Sequence, residues 1–265
     1  MKKIILAVML IAATFSAKAW HHLCDKGVLL AAAQNYTPET RQLVQKYVGE
    51  DMPKGAYYLA TLRKDGKMLE TEGWHKLHLN ADLKPGAADD QDAYVQIEKA
   101  LEVIRNHKKH DAKSVRFALY TVMNLVIDMH NISNVAIEGV ANSGTDFQVT
   151  SSKGTANGRP AKYFPYSWKT LWTTRYIHQH SGYTAAMWAN EIEVMFGDKK
   201  AEFAAGTLVD WTNDIGKYTK KVHDVLEANG GQFLHATIQA HEPLHMSCVG
   251  RAAYRLAALL NANLK

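Results

Sequence analysis

Apolar residues along this chain recur mainly at three- and four-residue intervals, the period of helices that turn one face to a core. Over 89–110 they stand at Ala93, Ile97, Leu101 and Ile104, with Val103 beside them, which predicts an amphipathic helix. The stretch 26–34 is rich in alanine and leucine and predicts another. Thr37-Pro38-Glu39 combines a capping residue, a proline suited to a first turn and an early acid, so a helix starts there and runs to about Val48. Further helices are predicted over 184–196, 207–228 and 245–261. The stretch 115–129 differs, because Phe117, Ala118, Leu119, Val122, Met123, Leu125, Val126 and Ile127 leave almost no polar face. A helix that is apolar nearly all round belongs in the middle of a bundle.

Between 131 and 165 the texture changes. Gly139, Gly144, Gly154 and Gly158 stand among Ser, Thr and Asn, which marks a long loop, with a short hairpin around Phe147-Gln148-Val149. No internal repeat or low-complexity tail interrupts the pattern. The expectation is an all-α, single-domain, multi-helix bundle with one long loop excursion, and excursions of that length are often functional.

Composition alters this picture at the start of the chain. Lys2 and Lys3 precede a short apolar run from Ile4 to Ala13, then Ala17-Lys18-Ala19 and Trp20. A basic start, a short apolar segment and an A-x-A site read as a secretory leader, 1–19, cut after Ala19. The mature domain is then 20–265, exported to a periplasm or secreted, with Trp20 carrying a free α-amino group. Loss of Lys2, Lys3 and Lys18 takes the formal charge from +5 to +2, so basicity gives little support to a nucleic-acid partner. No later segment is apolar for the 18 residues that a membrane span needs. Cys24 and Cys248 are the two cysteines. In an oxidising compartment a Cys24–Cys248 disulfide is favoured over two buried thiols.

Histidines are the next candidate chemistry. His241-Glu242-Pro243-Leu244-His245 fits the H-E-x-x-H metalloprotease pattern, which needs both histidines on one face of a continuous helix. Pro243 argues against that and for a helix start, with His241 at or before the cap. His107 and His110 close a lysine-rich helix end, and His178 and His180 flank a helix boundary; both pairs read as surface histidines. His21 and His22 adjoin Trp20. His130 follows Asp128 by two and points elsewhere on a helix. Trp168 and Trp172, four apart, are either core or a base-stacking rim. No catalytic triad spacing or phosphate-binding glycine loop is visible.

Several segments in order carry a likeness: Trp20, then Thr71 with Trp74-His75, then Asn124-Leu125-Val126-Ile127-Asp128-Met129-His130-Asn131. They are followed by Gly144-Thr145-Asp146-Phe147, then Ser167-Trp168-Lys169-Thr170-Leu171-Trp172-Thr173, and a closing Gly250-Arg251-Ala252-Ala253-Tyr254-Arg255-Leu256 that leads to Asn261. Together they resemble the exported zinc-dependent single-strand nucleases and 3′-nucleotidases, the S-one/P-one nuclease family, whose all-α fold is shared with zinc phospholipase C. The resemblance implies a cleft in which three zinc ions activate a water for attack on a phosphodiester.

It also implies nine ligand positions, which this chain fills unevenly. Trp20, His75 and Asp128 match the family pattern, and Asp25 replaces a histidine with another metal-competent group. Thr61, Asn124, Asn134, Lys169 and Thr173 fall where the family carries imidazole or carboxylate. Amide, hydroxyl and ammonium groups are poor zinc ligands, and an ammonium repels the ion. At most one divalent ion is therefore expected, or none; the oxygen-rich set of Trp20, Asp25 and Asp128 suits a hard ion. The leading expectation is an inactive or impaired homologue that binds an anionic, phosphate-bearing small molecule in the old cleft, with Lys169 supplying positive charge. The rivals are a phosphodiesterase or 3′-nucleotidase acting on single-stranded nucleic acid through a reduced metal site, and a non-catalytic structural or partner protein.

Overall fold

In the computed structural model, residues 20–86, 90–153, 162–175, 180–233 and 235–265 are described. The proposed leader, 1–19, lies outside them, as does His178. The molecule is an all-α, multi-helix domain with a few short strands in and around its excursion.

Most of the longer helices begin on a residue whose side chain accepts from a free N–H of the first turn. Helix α1 (His22–Gln34) is followed by α2 (Pro38–Tyr47), where Thr37 Oγ1 accepts from Thr40 N and Pro38 occupies the first turn. A 3-10 segment, Gly49–Tyr57, leads into α3 (Tyr58–Lys64), and a second, Leu69–His75, into strand β1 (Leu77–Leu79). Asp92 caps α4 (Ala93–Arg105) by accepting from Tyr94 and Val95 N–H. Asp111 caps α5 (Ala112–Met129) in the same way. Every residue from Ala118 to Met129 is buried, as its apolar circumference predicts, and α4, α10 and the first 3-10 segment pack around α5.

The excursion holds more order than glycines suggest. Strand β2 (Val135–Ile137) pairs in parallel with β1, Leu77 against Val135. Three-residue strands carry too short an alternation to be read from sequence. The hairpin is real: β3 (Gln148–Lys153) pairs antiparallel with β4 (Lys162–Ser167), Gln148 against Ser167. Its glycine-bearing tip, 154–161, lies outside the described residues. A three-residue helical turn, α6 (Trp168–Thr170), continues as a π-turn, Leu171–Arg175.

Helix α7 (Ala185–Phe196) packs on α1. It is followed by α8 (Lys200–Ala204) and α9 (Leu208–Ala228), where Thr207 and Asp210 form a reciprocal capping box. A short strand β5 (Gln232–Phe233) joins β3 in parallel. Helix α10 (His235–Asn263) closes the chain, and here the expectation of a start near Pro243 is overturned. The helix runs through Pro243, although a proline inside a helix costs about 3 kcal/mol. Burial of Met246, Cys248, Val249, Ala252, Ala253 and Leu256 downstream outweighs that cost.

The closing segment locks the bundle. Gly250 lies against Phe196, where a Cβ would sit 2.5 Å from Cδ2. Arg255, buried, donates to the Phe203 carbonyl (3.0 Å) and to Asp214 (2.5 Å), and faces His130 Nε2 at 3.3 Å. Asn261 bridges both sides of the α1–α2 connection, donating to the Asn35 carbonyl and accepting from Thr37 N–H.

Two further expectations fail. Cys24 on α1 and Cys248 on α10 are free thiols, fully buried in the common core. Each packs as a small apolar side chain inside its own helix face, and burial pushes both thiols upward, Cys248 to about 12. His107 is not a surface histidine: it is buried between the Tyr47 hydroxyl (2.9 Å) and the Lys265 carbonyl (3.0 Å), tying the C-terminus down. His110 is exposed, as expected.

Candidate functional site

The polar centre of the molecule is Asp128, carried by the most buried helix and itself wholly buried. Its Oδ2 accepts from His75 Nδ1 at 2.5 Å and from Asn124 Nδ2 at 2.9 Å. Asn124 lies one turn earlier on α5 and also donates to the Ala56 carbonyl. Asn134 pins the end of the same helix, donating to the Asp128 carbonyl at 3.1 Å.

His75 is held from both sides. Its Nε2 lies 2.7 Å from Arg63 Nη1, which also donates to Thr71 Oγ1 (2.9 Å) and to the Thr71 carbonyl (3.2 Å). A guanidinium can only donate, so Nε2 accepts and the ring proton sits on Nδ1, aimed at Asp128. Both nitrogens of the imidazole are thereby used by protein groups. The lone pair with which a histidine would ligate zinc is engaged by a cation.

Lys169 is half-buried at the edge of the same centre. Its backbone N–H donates to Asp146 Oδ1 at 3.0 Å, and its carbonyl accepts from Thr173 Oγ1 at 2.7 Å. Burial pushes its ammonium pKa down, Asp128 and Asp146 pull it back up, and Lys76 and Arg63 push it down again. Asp128 thus acts on both Arg63 and Lys169, and Lys76 acts on Lys169 from the surface. The guanidinium of Arg63 is likewise lowered by burial and raised by Asp128 and Glu72.

Trp20 and Asp25 form a second cluster. Trp20 is buried, and its backbone N–H donates to the buried Asp25 Oδ1 at 3.1 Å. The indole meets His245 edge-on at 6.0 Å, and His245 meets Trp172 at 5.2 Å. His245 Nε2 lies 3.1 Å from the Trp172 carbonyl, and burial drives its pKa down to about 3, so this imidazole is neutral. Trp168 and Trp172 are core residues, with rings 5.6 Å apart.

The structure therefore brings His75, Asn124, Asp128, Asn134 and Lys169 to one place, with Thr173 behind Lys169. Thr61 is elsewhere in role: exposed on α3, it donates to the Tyr57 carbonyl. Two residues further on, Arg63, which the sequence analysis did not single out, is the residue of α3 that reaches His75. His245 was also missed as a neighbour of Trp20, because nothing in linear spacing joins the two residues. His241 sits one turn before it, its Nδ1 2.8 Å from the Thr237 carbonyl, so the H-E-x-x-H helix is continuous after all. Among the described residues, however, no group of three or more His, Cys, Asp or Glu is placed to hold one metal ion. No described helix is long and apolar enough to cross a membrane. Set against known protein families and curated proteins, the chain matches none.

Proposed function

We propose that this protein is an exported, divergent homologue of the S-one/P-one nuclease family that has exchanged metal chemistry for direct anion binding. The observation that carries the reading is the Asp128–His75–Arg63 chain, in which a guanidinium engages the imidazole lone pair that a metal would need. Arg63 and Lys169 sense the buried carboxylate, Lys76 senses Lys169, and the three offer their charge to a phosphate-bearing ligand. Arg63 Nη2 is buried with no partner among the described residues, a donor that a bound anion would satisfy. Residues with the donor set of Asn124, Asn134, Lys169 and Thr173 do not fit a trinuclear zinc site.

The test is thermal denaturation of residues 20–265 with inorganic phosphate and with 3′-AMP. At a hundredfold excess over Kd, binding adds about 2.7 kcal/mol, or about 5–10 °C in a domain of this size. Lys169→Ala is expected to remove that shift while leaving the unliganded protein folded. Absence of any shift in the unaltered protein would favour the reading as a structural or partner protein.

A second reading keeps one hard divalent ion. It is favoured by Asp128 Oδ1 and Asn124 Oδ1, buried acceptors one helical turn apart with no partner among the described residues. Elemental analysis together with assay on single-stranded DNA and 3′-nucleotides decides between the two. Stoichiometric zinc with robust turnover would overturn the non-catalytic reading.

A further inference from the structure

A cavity of about 530 Å³, whose lining includes none of Arg63, Lys76, Asp128 and Lys169, lies between the second half of α9, the loop after β2 and the Ala81–Leu83 turn. That volume is within the range of small-molecule sites. Leu83, Ile137, Val140, Phe147 and Leu226 give it an apolar lining. Its charged groups are Glu138, Lys220, Asp224 and Glu227. Lys220 is paired with Asp224 at 2.8 Å, so its charge is already matched. Glu138 and Glu227, both exposed, are left as the uncompensated charges among the described residues.

Among the polar side chains that line it, His223 is the buried one. It lies on α9, with the Phe147 ring 5.8 Å and the Trp168 ring 5.7 Å from its own. The Ala141 carbonyl is its backbone hydrogen-bond partner, and burial keeps the imidazole pKa below its ordinary value. A neutral imidazole that donates through Nδ1 keeps an acceptor at Nε2. That Nε2 is buried with no partner among the described residues. Buried acceptors are rarely left unpaired unless something else supplies the donor.

We propose that this cavity binds a small organic cation with a flat apolar body. The body fills the apolar walls, an N–H or O–H on it donates to His223 Nε2, and its ammonium faces Glu138 and Glu227. Phe147, half-buried over His223, is the side chain that adjusts as the ligand enters. The proposal is independent of the anion site, which has the opposite charge preference and lies at Asp128.

Tryptamine is the probe, titrated calorimetrically into residues 20–265 at pH 7. The expected result is saturable binding at one per chain. The Glu138→Gln/Glu227→Gln double variant, altered only at exposed positions, is expected to bind about fivefold more weakly. 1-Methyltryptamine, which lacks the indole N–H, is expected to bind about tenfold more weakly. Lys169→Ala is expected to bind tryptamine unchanged. The proposal is overturned by absence of saturable binding at millimolar tryptamine. Equal affinity for 1-methyltryptamine, or for indole-3-propionate, whose carboxylate replaces the ammonium, overturns it as well.

Discussion

Asp128→Asn tests whether the central carboxylate is a paired structural charge. The side chain is wholly buried and takes hydrogen bonds from His75 and Asn124 on the same oxygen. An amide keeps one oxygen, which fits the Oδ2 position, so shape and both contacts survive. What disappears is the charge. Hydrogen bonds to a charged group contribute about 1.5–3 kcal/mol against about 1 kcal/mol for neutral ones, so two bonds weaken by about 1 kcal/mol each. Arg63 and Lys169 also lose their buried counter-charge, and breaking a buried pair costs about 3–5 kcal/mol in all. The expected destabilisation is about 3 kcal/mol, a fall in Tm of about 6–12 °C for a domain of this size. Urea unfolding followed by circular dichroism, with a chelator present, reads the change as a lower midpoint at unchanged slope. Arg63→Met disturbs the same chain through His75, so the double variant should lose less than the sum of the singles. Unchanged or increased stability in Asp128→Asn would refute the reasoning. It would mean that the carboxylate stands uncompensated, as a ligand does whose metal is missing.

Two further outcomes are expected. Cys24 and Cys248 should both be found as free thiols when the unreduced protein is unfolded, and should resist thiol reagents in the folded state, because burial raises both pKa values; finding no titratable thiol would restore the disulfide. His245 is neutral in the fold with a pKa near 3 and ordinary when unfolded, so the unfolded chain binds more protons below about pH 6.5. Stability should then be fully present above that pH and fall by up to about 5 kcal/mol as the pH drops towards 3, and His245→Phe should flatten the profile measured by urea unfolding between pH 7.5 and 4.5.

Where the chain states its structure locally, the sequence was readable. The cap at Thr37 and the all-apolar circumference of α5 placed those helices closely, because each signal lies within a turn or two of its effect. Of the hairpin, the strand at Gln148 was legible and its partner strand Lys162–Ser167 was not. The parallel β1–β2 pair was not, since its partners lie 58 residues apart and each strand is three residues long. Pro243 misled because local backbone chemistry argues for a helix start, whereas tertiary burial downstream of it, from Met246 onward, carries α10 through it. At the site, His75 and Asp128 could be picked as residues but not as a pair bound to each other. Arg63 completes that pair from another helix, and nothing in linear spacing announces a contact made by folding.

The group that compensates the centre is what separates an anion site from a cation site. A wholly buried carboxylate is costly unless compensated, and either a metal or a protein cation can compensate it. The cations here are Arg63, Lys76 and Lys169, and the carboxylates that act on them are Asp128, Asp146 and Glu72. The count balances, so placement decides: Arg63 already stands where a metal would meet the His75 lone pair, and its buried Nη2 is a donor that suits an anion. Lys169 depends on Asp128, because burial and its fellow cations favour a neutral amine, and Asp128 and Asp146 oppose them. On the proposed reading, an arriving phosphate joins the carboxylates in holding that proton in place. Anion binding should therefore weaken as pH rises far enough to discharge Lys169, and phosphate-induced stabilisation measured across alkaline pH should fall with it. A phosphate effect that stays constant through that range would place the anion elsewhere.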